Sequence, residues 1–142
     1  MPKPNIFISH RWDYQNDYHS FVDKLNKYGL PHHNYSVPEH NPLDVNRKNQ
    51  IKAALREQVR QCNYFIIFAR LASYSEWCQF EVEAAKDFGK PILAVKPFAY
   101  AGGIPTFISA ADNQGGPVGF NVPPIIKKIC AQLQWPVPAG LS

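Results

Sequence analysis

Apolar residues in this chain come in short blocks, and the period of the blocks alternates. Asn5–Ser9 is a β-branched apolar run and predicts a buried strand. From Asp13 onward, apolar positions recur at Tyr18, Phe21, Val22, Leu25 and Tyr28. That is one face of a helix, with Asp13 or Asn16 as its cap and Gly29 and Pro31 as its stop. His33–Val37 predicts a short strand, and Pro38–Asp44, with two prolines and no period, a loop. Val45–Gln61 predicts a second helix that turns Ile51, Ala54, Leu55, Val59 and the following Cys62 inward. Asn63–Ala69 is the most continuous apolar run, the pattern of a central parallel strand covered on both faces. Ser73-Tyr74-Ser75-Glu76 matches a capping box, opening a helix that runs to Phe88 and closes at Gly89. Pro91–Val95 predicts another buried strand. Lys96–Gly116 is glycine-bearing, with room for one short helical turn. Pro117–Asn121 predicts a small strand, and Pro123–Leu133 a last helix with proline in its first turn.

Strands alternating with helices force a parallel sheet with helices on both faces. The expected fold is therefore α/β: a flavodoxin-like three-layer sandwich around a five-stranded parallel sheet of order 2-1-3-4-5, with Tyr64–Phe68 at its centre. A length of 142 residues suits one domain, placed at residues 1–135, with 136–142 as a short tail. In such a sheet ligands bind past the carboxyl ends of strands one and three, where the winding reverses.

Composition narrows the chemistry. Three cysteines (Cys62, Cys78, Cys130), none in a C-x-x-C pair, argue against a disulfide framework and fit free thiols in a reducing cytoplasm. The N-terminus lacks the apolar run of a signal peptide, and no stretch is long enough to span a membrane. The formal charge is +4, and Val45–Gln61 matches that surplus with Arg47, Lys48, Lys52, Arg56 and Arg60 against Glu57. Lys48, Lys52, Arg56 and Arg60 form a stripe at one-turn spacing, the mark of a solvated helix face. The 19 aromatic residues follow core periods instead of alternating with cations, which argues against a nucleic-acid groove. His32 and His33 are neighbours in an extended segment and point apart, so no metal site is expected.

The switch-point rule selects Ser9, His10, Arg11, Trp12 and Asp13 after strand one, and Arg70 to Trp77 after strand three. A phosphorylated receiver needs an aspartate at the end of strand three, where Phe68-Ala69-Arg70 stand. The glycines of a dinucleotide fingerprint or a P-loop are missing after strand one. One carboxylate does reach the mouth: Glu81, in the second turn of the third helix, one turn from Trp77. A carboxylate beside an indole in a cleft is a candidate for charge stabilisation or proton transfer; a surface acid favoured by the helix dipole has the same address.

Ser75-Glu76-Trp77-Cys78-Gln79-Phe80-Glu81 resembles the S-x-W-C-x-x-E signature of TIR domains, and Phe7-Ile8-Ser9-His10 resembles the start of their first strand. Asn34 to His40, Gly89 to Pro97 and Val118 to Asn121 are similar to segments of the bacterial and archaeal TIR-like family that includes the Thoeris anti-phage proteins. The likeness runs from about Asn5 to Ile129. It implies a flavodoxin-like fold and an enzyme, an NAD nucleosidase or cyclase, that cleaves the nicotinamide–ribose bond of NAD and in some members cyclises the remainder. NAD is then a substrate and no separate cofactor is needed. Glu81 falls on the family's catalytic glutamate. Ser9, His10, Arg11, Trp12, Tyr74 and Trp77 are expected to bind the substrate, the aromatic residues by stacking and the polar ones at ribose or diphosphate. The loop from Ser36 to Asp44, with Glu39 and His40, corresponds to one that covers NAD. The resemblance also implies a cytoplasmic protein, self-association, and a separate effector reached through a diffusible product. Other TIR domains are scaffolds that act by association. A nucleoside or nucleotide N-glycosidic transferase would use the same carboxylate on a smaller substrate.

Overall fold

The computed structural model of the chain describes residues 5–9, 15–30, 33–35, 45–68, 76–96 and 103–141. Its elements are β1 (Asn5–Ser9), α1 (Gln15–Lys27), β2 (His33–Tyr35), α2 (Val45–Gln61), β3 (Tyr64–Phe68), α3 (Glu76–Asp87), β4 (Ile92–Val95), α4 (Thr106–Ala111), α5 (Val122–Leu133) and a closing 3₁₀ turn (Ala139–Leu141). The four strands pair in parallel in the order β2-β1-β3-β4. All five residues of β3 are buried, and it lies between β1 and β4. Its apolar side chains each contribute roughly 1.5–3 kcal/mol on burial. That exceeds the roughly 1–2 kcal/mol of backbone entropy lost per residue, so the run orders as a strand once both faces are covered.

Alternation along the strands divides the core into two layers. Phe7, Phe65, Ile67, Ile92 and Ala94 pack with Leu55 and Val59 of α2, Cys78, Val82 and Ala85 of α3, and Ile108 of α4. Ile6, Ile8, Tyr64, Ile66, Phe68, Leu93 and Val95 pack on the opposite face with Phe21 and Leu25 of α1 and with Ile125, Ile126 and Ile129 of α5. Phe7 and Phe65 stack with centroids 5.3 Å apart, tying β1 to β3. On α2 the inward residues are Leu55 and Val59, with Ile51 half-buried. Ala54, expected inward, is exposed, because it lies beyond the stripe those residues define.

Glycines end two helices as expected. Gly29 and Gly89 take positive φ (79° and 64°), and each closes a Schellman motif: Leu30 N bonds Leu25 O and Lys90 N bonds Ala85 O.

The expected fifth strand is corrected. Among the described residues the sheet has four strands, and Val118 alone makes a parallel bridge to Val95. Val118 N donates to Ala94 O (3.0 Å) and Lys96 N donates to Val118 O (2.8 Å). Pro117 brings no N–H to continue the ladder. The rest of the outer edge of β4 is met by the segment after α4. Ile92 N donates to Asn113 Oδ1 (2.9 Å) and Ala94 N to Asp112 Oδ2 (2.7 Å), while Asn113 N donates to Ile92 O (2.9 Å). Two side chains thus satisfy groups that a strand would have paired.

Candidate functional site

Ser9 ends β1 in register with Ile67 of β3. It stands two residues beyond Phe7, so strand alternation turns its side chain toward the layer of α2 and α3. On α3 the inward stripe runs Cys78, Glu81, Val82, Ala85, the i, i+3, i+4, i+7 spacing of a core-facing helix. Every other member of that stripe is apolar and buried, and Glu81 is buried with them. The acid occupies a position that packing alone would fill with a hydrocarbon side chain.

The two elements bring these residues together. Ser9 Oγ donates to Glu81 Oε1 at 3.2 Å, with both residues 0% exposed. They are the buried polar residues of the described core. Glu81 Oε2 is also buried and has no hydrogen-bond partner among the described residues. Burial pushes the carboxyl well above the usual carboxylate range, and the Ser9 hydrogen bond offsets only part of that rise. Burial thus favours the protonated form of this carboxyl, which has one oxygen held and, among the described residues, one unmatched. It can donate a proton, or ionise when a positive charge is brought beside it.

The pair sits where the winding reverses. β1 neighbours both β2 and β3, and the chain leaves β1 for one side of the sheet before returning on the other. The residues nearest the carboxyl ends of β1 and β3 are Ser9 and Phe68, as the switch-point rule anticipates.

Of the residues named from sequence, Ser9 and Glu81 are thus placed and joined. The backbone of Trp77 lies in the first turn of α3, one turn before Glu81. His10, Arg11, Trp12, Tyr74, Glu39 and His40 lie outside the described residues, as does the loop from Ser36 to Asp44. Sequence reasoning missed the Ser9–Glu81 bond itself. The signal was present in the two-residue offset of Ser9 from Phe7, but it becomes a contact only when α3 is laid over β1. Among the described residues no group of three or more His, Cys, Asp or Glu side chains is placed to hold a metal ion. No described helix is long and apolar enough to cross a membrane.

Of the basic stripe on α2, Arg56 and Arg60 are exposed and Lys52 is half-buried, and Lys52 and Arg56 engage the neighbouring α3 and the residue that follows it. The Lys52 ammonium lies 5.4 Å from the centre of the Phe80 ring, and the Arg56 guanidinium 4.7 Å from that of Phe88. Arg56 also pairs with Asp87 at 3.2 Å. These contacts clamp α3, and therefore Glu81, against α2.

Solved structures share this architecture. The 2-deoxyribosyltransferase of the psychrotolerant bacterium Bacillus psychrosaccharolyticus matches with a TM-score of 0.58 at 14% identity, covering 82% of this chain and 85% of that one. A conserved protein from Enterococcus faecalis V583 matches with a TM-score of 0.69 at 11% identity, covering 92% and 99%. At these identities the likeness is one of fold. No curated protein matches the sequence. The model of the TIR-like domain of Thoeris protein ThsB matches residues 7–100, a span that takes in the end of β1, the whole of α3 and both members of the buried pair. The chain belongs to this Thoeris ThsB TIR-like family.

Proposed function

We propose that the protein cleaves the nicotinamide–ribose bond of NAD and passes on the remainder as a cyclic ADP-ribose-type signal in anti-phage defence. The observation that carries this reading is Glu81, a carboxyl buried on the core face of α3 at the switch point with one oxygen unpartnered among the described residues. Nicotinamide in NAD is already a cationic leaving group, so its departure needs no strong acid. Positive charge develops on the ribose as an oxocarbenium-like ion. A carboxylate fixed beside that carbon stabilises the charge more in the transition state than in the ground state. The raised pKa of Glu81 fits this sequence of events. A cationic substrate drawn next to Glu81 lowers its pKa, and the ionised form appears where it is needed. Water or a hydroxyl of the same molecule then attacks the ribose carbon, giving linear or cyclic product. His10 and Arg11 are assigned to ribose or diphosphate, and Trp12, Tyr74 and Trp77 to stacking on the rings, with self-association completing the active assembly.

The test is incubation of the purified protein with NAD and mass spectrometry of the products, over a range of protein concentrations. Nicotinamide with a cyclised remainder, lost in Glu81→Gln, supports the proposal. Linear ADP-ribose alone makes the protein a hydrolase. A second reading, N-glycosidic transfer on a nucleoside, uses the same carboxyl and draws on the fold shared with the Bacillus enzyme. Base exchange on a nucleoside without NAD cleavage would favour it. No turnover on either substrate at any concentration would leave a module that works by association.

A further inference from the structure

We infer that Ser9 is the positioning residue of this site: its hydroxyl fixes Oε1 of Glu81 and leaves Oε2 as the oxygen that meets the sugar. The inference rests on the proposed function and adds a role that substrate contact does not describe. A glutamate side chain has several rotatable bonds, and its terminal carboxyl turns freely unless something holds it. Around Glu81 the buried residues of α3 include Val82, Ala84 and Ala85, whose side chains carry no hydrogen-bond donor. The Ser9 hydroxyl, 3.2 Å away from a strand 72 residues distant in sequence, is the group that picks one orientation. Its own place is secured by β3, where it stands in register with Ile67, on a strand that β2 also pairs as far as Phe7. Ser9 is itself 0% exposed, so its hydroxyl faces the acid instead of the solvent. A short, rigid donor on a central strand holds a reacting carboxyl better than a surface side chain does, because it brings little freedom of its own.

The consequence is an asymmetry between the oxygens. Oε1 accepts from Ser9 before and after ionisation. Oε2 is buried without a described partner and changes its environment when a substrate arrives. Removing the hydroxyl frees the carboxyl to rotate and also removes a bond that favours the ionised form.

The experiment uses the full chain with Ser9→Ala and Ser9→Cys, the latter keeping the shape but donating weakly. Two readouts are taken. One is the titration of the Glu81 side-chain carboxyl by ¹³C NMR, assigned by its loss in Glu81→Gln. The other is the pH profile of NAD cleavage, with kcat and KM separated. In Ser9→Ala the carboxyl titrates at higher pH than in wild type, and the acid limb of kcat moves the same way. The value of kcat falls roughly tenfold or more while KM stays near wild type, the scale of a lost hydrogen bond to a charged group. Ser9→Cys falls between the two. A titration that Ser9→Ala leaves in place overturns the inference, whatever happens to turnover. So does a fall that appears only as a higher KM, which would make Ser9 a substrate contact. If wild type cleaves NAD and the titration does not move, the role of Ser9 is refuted and the NAD reading stands. If the titration moves but wild type cleaves no NAD, the proposed function fails, and the catalytic role of Ser9 fails with it.

Discussion

Glu57 and Glu81 lie on adjacent helices of the same layer, and the fold treats them in opposite ways. Glu57, on α2, accepts from Arg60 Nε at 2.8 Å and from Gln61 Nε2 at 2.9 Å, with a further close contact to Arg60 Nη2. Its side chain is half exposed, and the Arg60 hydrogen bonds, then that of Gln61, draw its pKa down to about 2. Glu81 receives one hydroxyl from a distant strand, and burial drives its pKa up. A surface acid takes its partners from the next turn of its own helix, by spacing alone. A buried acid with an unmatched oxygen opposes folding, because both its charge and its lone pairs have left water. Packing and local propensity account for Glu57. They do not account for Glu81.

The largest expected effect tests the chemical half of the contrast. Glu81→Gln lowers NAD cleavage by roughly 10²–10³, the scale of removing a preorganised electrostatic partner. Quantifying nicotinamide release by mass spectrometry checks it. Glu83→Gln, two positions along with its side chain 64% exposed, is expected to behave as wild type. Equal loss in both variants would dissolve the distinction between them.

A third carboxyl sharpens the comparison. Asp112 accepts from Ala94 N, Gln114 N and Gly116 N at 2.7–2.9 Å, so its role is to hold backbone. Asp112→Ala strands those donors and is expected to lower stability by about 2–4 kcal/mol, at roughly 1–3 kcal/mol per unsatisfied group with partial solvation. Urea unfolding measures it. Turnover per folded molecule should stay at wild type, the reverse of the pattern for Glu81→Gln.

Stability against pH gives the next effect. A carboxyl whose folded pKa is raised binds more protons folded than unfolded. The stability it contributes is full below the unfolded glutamate value and is lost as pH rises toward the folded one. Across that window wild type should lose about 1.4 kcal/mol per pH unit from this group alone. Glu81→Gln should lack that slope and be the more stable protein at neutral pH. Unfolding curves taken from pH 4 upward decide the matter, and parallel curves for the two proteins would show that burial does not disfavour the charge.

The smallest effect belongs to Glu57. Its pKa is lowered, so its contribution is present above the unfolded value and disappears as pH falls toward about 2. Glu57→Gln should leave turnover and the melting temperature at neutral pH within error. Added salt should remove any residual difference, since the pair is exposed.

Sequence pattern carried much of this structure, and its failures have definite causes. The unbroken apolar run Tyr64–Phe68 placed itself between neighbours because no edge position suits five buried side chains. The ends of α1 and α3 were legible because Gly29 and Gly89 meet a backbone requirement that other residues meet poorly. The fifth strand was misread because Asp112 and Asn113 supply with side chains what a strand supplies with backbone, and no periodicity announces that substitution. Glu81 could be chosen by topology and motif, and Ser9 by its place at a strand end. Their bond was invisible because it depends on how α3 lies across β1, a relation that neither segment encodes alone.

The outer edge of β4 has one more consequence. With Asn113, Asp112 and Val118 answering its backbone groups, that edge offers no open ladder to an incoming strand. Copies of the protein therefore cannot join there by extending the sheet, the route by which exposed edges lead to fibrous aggregation. Any assembly on that side must be built from side-chain surfaces, whose fit depends on particular residues and which can dissolve as well as form.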